Sequence, residues 1–198
     1  MTRLYIVRHG NTFEAGEAPH RIGSRTDLPL TATGIAQAEA LGRHFAASSI
    51  AFAESFSGRL ARTRDTARII LETMGLPLAV ETEDFLTEID HGPDEDQLEA
   101  IVEARVGRSA LDAWDQRAVA PPGWDVGAEW RIAAWLAFDR SSRAGPALLV
   151  TSNGAARFAL LAFGFDIASL KLRTGTYGVI EAGSDGGFRL LEWDKRPD

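Results

Sequence analysis

The run Leu4-Tyr5-Ile6-Val7, cut off by Arg8-His9-Gly10, limits this chain more than any other stretch. Consecutive β-branched, aliphatic and aromatic side chains suit a buried strand, not a half-solvated one. Gly10 lets the backbone turn tightly at its end. Arg8 and His9 are thereby delivered to the carboxyl end of a rigid strand, which is where open α/β sheets bind ligands. A guanidinium matches phosphate geometry and an imidazole can act as a nucleophile, so the pair points to phosphoryl chemistry. Taken without context, the same residues are a surface Arg-His pair in a loop.

The rest of the chain alternates helical and extended patterns. Residues 13–30 read as a long loop, and ordered loops of that length are unusual without a function. Thr31 is a candidate N-cap for a helix to about Ala46, with Ile35, Ala38, Leu41 and Phe45 on one face. A strand is expected at 51–55, a helix at 59–74 stopped by Gly75, and a short strand at 78–81. The stretch from Leu86 to Asp96 is acidic and turn-forming. Helical patterns follow at 97–106, at 110–117 and, beyond Pro121-Pro122-Gly123, up to about Arg140. Ala147-Leu148-Leu149-Val150-Thr151 is a strong strand that ends in Ser152-Asn153-Gly154 before another helix, 155–163. Strands at about 175–181 and 188–193 make a hairpin around Gly183-Ser184-Asp185-Gly186-Gly187. This alternation predicts an α/β fold, a three-layer α/β/α sandwich with a mixed, mostly parallel sheet. We read residues 1–198 as a single domain in which the segment of about 93–125 is an insertion that caps the site.

Composition excludes several functions. The 198 residues carry 28 acidic and 21 basic side chains, a net charge of -7, which argues against wrapping nucleic acid or binding an anionic membrane. No cysteine is present, so disulfides, thiolate metal sites and a cysteine nucleophile are excluded. No apolar run approaches the roughly 18 residues of a membrane span, and the start of the chain does not read as a signal peptide. A cytoplasmic location is the expectation.

Four places carry chemistry: Arg8-His9-Gly10-Asn11-Thr12, Arg62, Glu88 and Ser152-Asn153-Gly154. Together they resemble the histidine phosphatase superfamily, the phosphoglycerate-mutase-like proteins. Arg8-His9-Gly10 resembles its opening signature. Arg21 through Gln37, with Asp27-Leu28-Pro29-Leu30-Thr31 and Gly34, is similar to the loop and helix that follow. Leu60, Arg62, Thr66 and Ala67 match the helix carrying a second phosphate-binding arginine. Leu86, Glu88, Asp90, Gly92 and Glu95 match the segment supplying an acid. The late strand running into Gly154 and Arg157 matches the region of the second histidine. Anchoring on Gly154 and Arg157 puts Ser152 where the family normally has that histidine. All four histidines, His9, His20, His44 and His91, lie in the first half of the chain.

The resemblance implies two-step phosphoryl transfer without metal or other cofactor, acting on a small-molecule phosphate ester. His9 is then the nucleophile, Arg8 and Arg62 hold the phosphoryl oxygens, and Asn11 and Thr12 add neutral donors. Glu88 protonates the leaving alkoxide and then activates water, its pKa raised for that task either by desolvation or by a neighbouring carboxylate, Glu95 or Asp90. Ser152 offers one neutral hydrogen bond where an imidazole would add charge, with Asn153 and helix-start N–H groups as compensation. Loss of one such donor typically costs ~10²–10³ in rate. Three outcomes stay open: a slow phosphatase, a phosphatase adapted to another substrate, or a phosphate-ester binding protein. A phosphoglycerate-type mutase is the less favoured alternative. His91 stands where the family usually has an aromatic and reads as a packed or hydrogen-bonded histidine. His44 reads as structural, and His20 and Arg21 as either substrate guides or a solvated loop. The tryptophans read as either core or site wall.

Overall fold

The first strand, β1 (Thr2–Arg8), alternates its side chains between two apolar cores. Leu4 and Ile6 enter one cluster and Tyr5 and Val7 the other. The chain is described here from a computed structural model over residues 2–140, 145–183 and 186–198. The remaining strands are β2 (Glu54–Ser57), β3 (Val80–Thr82), β4 (Ala147–Thr151), β5 (Tyr177–Ala182) and β6 (Phe188–Lys195). They form one six-stranded sheet in the order β3-β2-β4-β1-β5-β6. The β1–β4, β4–β2 and β2–β3 pairs are parallel, and β5 and β6 add an antiparallel edge. Strand β4 alternates like β1, with Ala147 and Leu149 in one cluster and Leu148 and Val150 in the other. Both central strands are therefore buried on two faces, as parallel strands covered by crossover helices must be.

Helices α1 (Ala32–Ala47) and α2 (Ala61–Met74) cover one face through Leu41, Phe45, Ile70 and Leu71. Helices α5 (Ala128–Arg140) and α6 (Asn153–Ala162) cover the other through Trp135, Phe138, Ala156 and Phe158. Helices α3 (Glu99–Val106) and α4 (Arg108–Arg117) reach the same core through Val102, Leu111 and Trp114. The expected three-layer α/β/α architecture is what forms. Thr31 caps α1, its side chain accepting from Gly34 N–H. Gly75, with φ +67, ends α2 in the left-handed conformation that glycine favours.

Sequence boundaries slip where the sheet ladder decides them. The second strand begins at Glu54, three residues later than expected, because its pairing with β4 starts at Glu54 opposite Ala147. The third runs 80–82 instead of 78–81 for the same reason, pairing only alongside Ser55–Ser57. In the expected turn at 183–187, Ser184 and Asp185 lie outside the described residues. Among the described residues no helix is long and apolar enough to cross a membrane.

Candidate active site

The register of the two central strands builds the site. Arg8 pairs with Thr151, so His9 and Ser152 are the next residues past the ends of adjacent parallel strands. His9 N–H donates to Thr151 O (3.0 Å), extending the ladder by one bond. Past His9 the chain threads between helices at Gly10. A Cβ there would stand 2.2 Å from Gly34 O, and one on Gly34 would stand 2.2 Å from Asn11 O. Only glycines permit this crossing of β1's exit with the first turn of α1. Thr66 Oγ1 accepts from Gly10 N–H (3.2 Å), tying the turn to α2.

His9 is buried, and its Nδ1 lies 2.7 Å from Gly10 O. A carbonyl only accepts, so Nδ1 carries the proton and Nε2 keeps its lone pair. Burial, then the Arg62 and Arg8 charges, push the His9 pKa well below the usual 6.5, against a weaker opposing effect of the Gly10 bond. The imidazole is therefore neutral at neutral pH. Arg62 Nε–H faces the Nε2 lone pair at 3.2 Å. Its other nitrogens donate to Thr26 O (2.6 Å) and Gly23 O (3.1 Å), which aims a fully buried guanidinium at His9. Two carboxylates near in sequence or on the facing segment are engaged elsewhere and leave Arg62 to His9: Asp84 binds Arg59 and Asp65 faces Arg68. Arg8 Nη1 donates to Leu172 O (2.9 Å). Burial brings the Arg8 pKa down to about 10, so it is still a cation at neutral pH.

Glu88 reaches the same cavity from the segment after β3. Its Oε1 accepts from Ile89 N–H (2.9 Å) and its Oε2 from Gly154 N–H (3.1 Å) at the start of α6. A Cβ on Gly154 would lie 2.2 Å from Glu88 Oε1, so this approach requires glycine. Arg131 braces the segment by donating to Phe85 O (2.8 Å) and Thr87 O (2.7 Å). Thr151 Oγ1 donates to Leu86 O (2.7 Å).

Arg8, His9, Asn11, Thr12, Glu88 and Asn153 all line one cavity of about 430 Å³. Arg62 and Ser152 are fully buried behind its wall. One expected detail is corrected. Glu95 and Asp90 do not serve as partners of Glu88. Glu95 binds Gly23 N–H, Arg25 N–H and Thr26 Oγ1, and Asp90 binds Arg25, so both hold the 23–26 loop. Asn153 spends Oδ1 on Leu172 N–H (2.9 Å), which leaves its amide N–H₂ as the donor. Ser152 Oγ is buried without a hydrogen-bond partner among the described residues. His91, read as a packed histidine, is buried but also lines the cavity. Trp114 is at once core and wall, Trp124 and Trp135 are core, and Trp130 is exposed. His44 is structural, with Nε2 2.8 Å from Tyr177 Oη. Arg21 lines the cavity paired with Glu99, and His20 stacks on Phe13 at its mouth. The backbone of Leu172, which clamps both Arg8 and Asn153, had no sequence signal because only its peptide groups are used. Among the described residues no group of three or more His, Asp or Glu side chains is arranged to hold a metal ion.

A strand-end imidazole between two arginines, on a sheet of this order, defines a histidine phosphatase architecture. The chain belongs to the histidine phosphatase superfamily (branch 1), whose family model matches residues 4–195. It is 33% identical over 123 residues to a 2,3-bisphosphoglycerate-dependent phosphoglycerate mutase of Rhizobium etli, covering 62% of this chain and 58% of that protein. It is 34% identical over 108 residues to a protein of Salmonella choleraesuis named "Probable phosphoglycerate mutase GpmB", covering 54% of this chain and 47% of the other. The chain thus spans about half the length of these curated relatives. Among solved structures it resembles the alpha-ribazole phosphatase of Shigella flexneri (TM-score 0.74, 21% identity, 98% and 97% of the two chains). It also resembles a mycobacterial glucosyl-3-phosphoglycerate phosphatase (TM-score 0.78, 20% identity, 99% and 100%). At these identities the structural likeness is one of fold.

Proposed function

We propose that this protein hydrolyses small-molecule phosphate monoesters through a phosphohistidine on His9. The observation that carries the reading is the state of His9: a neutral imidazole, held as the Nδ1–H tautomer by Gly10 O, with its Nε2 lone pair facing Arg62. In the first step Nε2 attacks phosphorus and the ester P–O bond breaks. Arg8 and Arg62 meet the charge on the equatorial oxygens, with Asn11, Thr12, Asn153 and Ser152 as neutral donors. Glu88, in its acid form, gives its proton to the leaving alkoxide. In the second step its carboxylate takes a proton from water, the water oxygen bonds to phosphorus, and the N–P bond breaks to release phosphate.

Hydrolysis is favoured over mutase chemistry by the charge of the cavity wall. Beyond the phosphoryl end it carries Glu14 and Glu17, while Glu99 and Arg21 neutralise each other. A substrate with a second anionic group would meet negative charge there, whereas a polyhydroxy or neutral alcohol would not. On the same reading the segment of about 93–125 caps the site, since Glu99 of α3 and Trp114 of α4 form part of the wall. A panel of small phosphate esters assayed in EDTA tests the proposal. Phosphate release by the wild type, abolished in His9→Ala, is expected; no turnover above the His9→Ala level refutes it. In that case phosphate-ester binding, lost in Arg62→Ala, becomes the function.

A further inference from the structure

The phosphoryl end of the cavity has one feature that the reaction above leaves unused. His91 is 3% exposed, lines the cavity with His9 and Glu88, and has no hydrogen-bond partner at Nδ1 among the described residues. Its position is tightly set. Nδ1 faces Glu95 Oε2 at 3.7 Å, which is ion-pair range but too long for a hydrogen bond. The ring meets Trp124 edge to face, with centroids 4.5 Å apart and planes at 81°. Gly23 is wedged alongside: a Cβ on it would lie 2.7 Å from His91 Nδ1 and 2.3 Å from Glu95 Oε2. Gly23 O is also the acceptor that aims Arg62 at His9. One glycine therefore separates His91 from the arginine of the phosphoryl site. With Nδ1 turned to Glu95, the opposite edge of the ring, carrying Nε2, is the edge left for the cavity.

We propose that His91 is a phosphate-contacting cationic donor, an imidazolium backed by Glu95 that supplies the charge Ser152 cannot. This rests on the phosphatase reading and extends it. Ser152 is next to His9 past the strand ends, but its side chain is neutral and fully buried. His91 brings an imidazole to the same cavity from the acidic turn instead. The charged groups around it are Glu95 and Glu88 on its own segment, Arg21 and Arg25 on the 21–26 loop, Arg62 across Gly23, and Asp94 behind Trp124. Arg25 is neutralised by Asp90, Arg21 by Glu99 and Asp94 by Arg105. Glu95 accepts hydrogen bonds from Gly23 N–H, Arg25 N–H and Thr26 Oγ1, so it stays a carboxylate. A bound phosphate dianion adds negative charge on the Nε2 side. The ring then lies between two anions, which favours its protonated form.

The test uses the full-length protein and inorganic phosphate as the probe, with no turnover needed. Histidine ring nitrogens are titrated by NMR with and without phosphate, His91 being assigned by its loss in His91→Phe. Phenylalanine keeps the contact with Trp124 and removes only the nitrogens. The expected result is a His91 titration midpoint raised by at least about one pH unit on saturation, a roughly tenfold shift in its protonation equilibrium. His91→Phe is expected to bind phosphate at least about 10-fold more weakly and to lose ~10² in kcat/KM. An unmoved His91 titration in phosphate-saturated wild type overturns the proposal, and so does a folded His91→Phe with wild-type affinity. If the wild type turns over esters and His91→Phe matches it in rate and pH profile, the hydrolase stands and His91 falls. If nothing turns over but phosphate moves the His91 titration, His91 stands and the hydrolase falls. A wild type that binds no phosphate refutes both.

Discussion

Gly154→Ala isolates the acid from the nucleophile. The added Cβ would fall 2.2 Å from Glu88 Oε1, 2.9 Å from Ile89 Cγ1 and 3.1 Å from Glu88 Cδ, where ordinary contact begins near 3.4 Å. The carboxyl group must retreat by about 1 Å, and it gives up the geometry of its bonds to Ile89 N–H and Gly154 N–H. A misplacement of that size can cost ~10²-fold, within the 10²–10⁴ that a positioned general acid typically contributes. His9, Arg8 and Arg62 are held by Gly10, Leu172, Thr26 and Gly23, whereas the atoms nearest the new methyl belong to Glu88 and Ile89. The loss should therefore depend on the leaving group. We expect kcat/KM for an alkyl phosphate such as glycerol phosphate to fall ~10²-fold. For p-nitrophenyl phosphate, whose phenolate leaves without a proton, the loss should stay below about 10-fold. The ratio kcat/KM reports the steps up to P–O cleavage, so a slower second step does not obscure the comparison. Glu88→Gln, which removes the proton without the clash, should give the same pattern, and thermal unfolding should show both variants folded. Equal losses on the two esters, or a Glu88→Gln that spares the alkyl ester, would refute Glu88 as the acid.

Two further predictions follow from single groups. Ser152→Ala removes a fully buried hydroxyl that has no partner among the described residues, so stability should rise by about 1 kcal/mol in urea unfolding. The same change should lower kcat by at least about 10-fold if that hydroxyl is kept for the phosphoryl group, and an unchanged kcat would remove Ser152 from the site. Burial alone would raise the Glu95 carboxyl, but contacts with His91, Thr26 and Gly23 outweigh it and bring its pKa to about 2, against 4.5 unfolded. That stabilisation is present above pH ~4.5 and fades as pH falls toward 2. Glu95→Gln should therefore cost about 2–3 kcal/mol at pH 7 and progressively less in acid, read from denaturant curves at several pH values. A cost independent of pH would contradict it.

Much of this fold was legible because its rules are local. Unbroken apolar runs at 4–7 and 147–151 announce strands covered on both faces, and Thr31 and Gly75 mark helix ends by their own hydrogen bonds and dihedral angles. Strand edges were less legible, since β2 starts where Ala147, far along the chain, pairs with Glu54, and β3 starts where Ser55 pairs with Val80. For the site, the residue types were readable and their commitments were not. Glu95 and Asp90 looked like neighbours of Glu88 because they are close in sequence. Their carboxylates turn instead to the 23–26 loop, where backbone N–H groups meet Glu95 and the Arg25 guanidinium meets Asp90. His91 looked like packing because nothing nearby in sequence marks a cavity.

By itself the sequence determined the order of elements, the strand-end Arg8-His9-Gly10, and the presence of Arg62, Glu88 and Ser152 at helix starts and turns. These depend on side-chain periodicity and on chain stiffness over a few residues. Tertiary structure alone decided that His9 is neutral, with its Nε2 lone pair turned to Arg62. That state depends on a guanidinium 53 residues away and on burial that only the assembled sheet and its covering helices supply. It also decided that Gly154 makes room for Glu88, 66 residues earlier, and that the Leu172 backbone clamps Arg8 and Asn153. Such contacts join peptide groups and charges across long loops, where no pattern in the intervening residues records them.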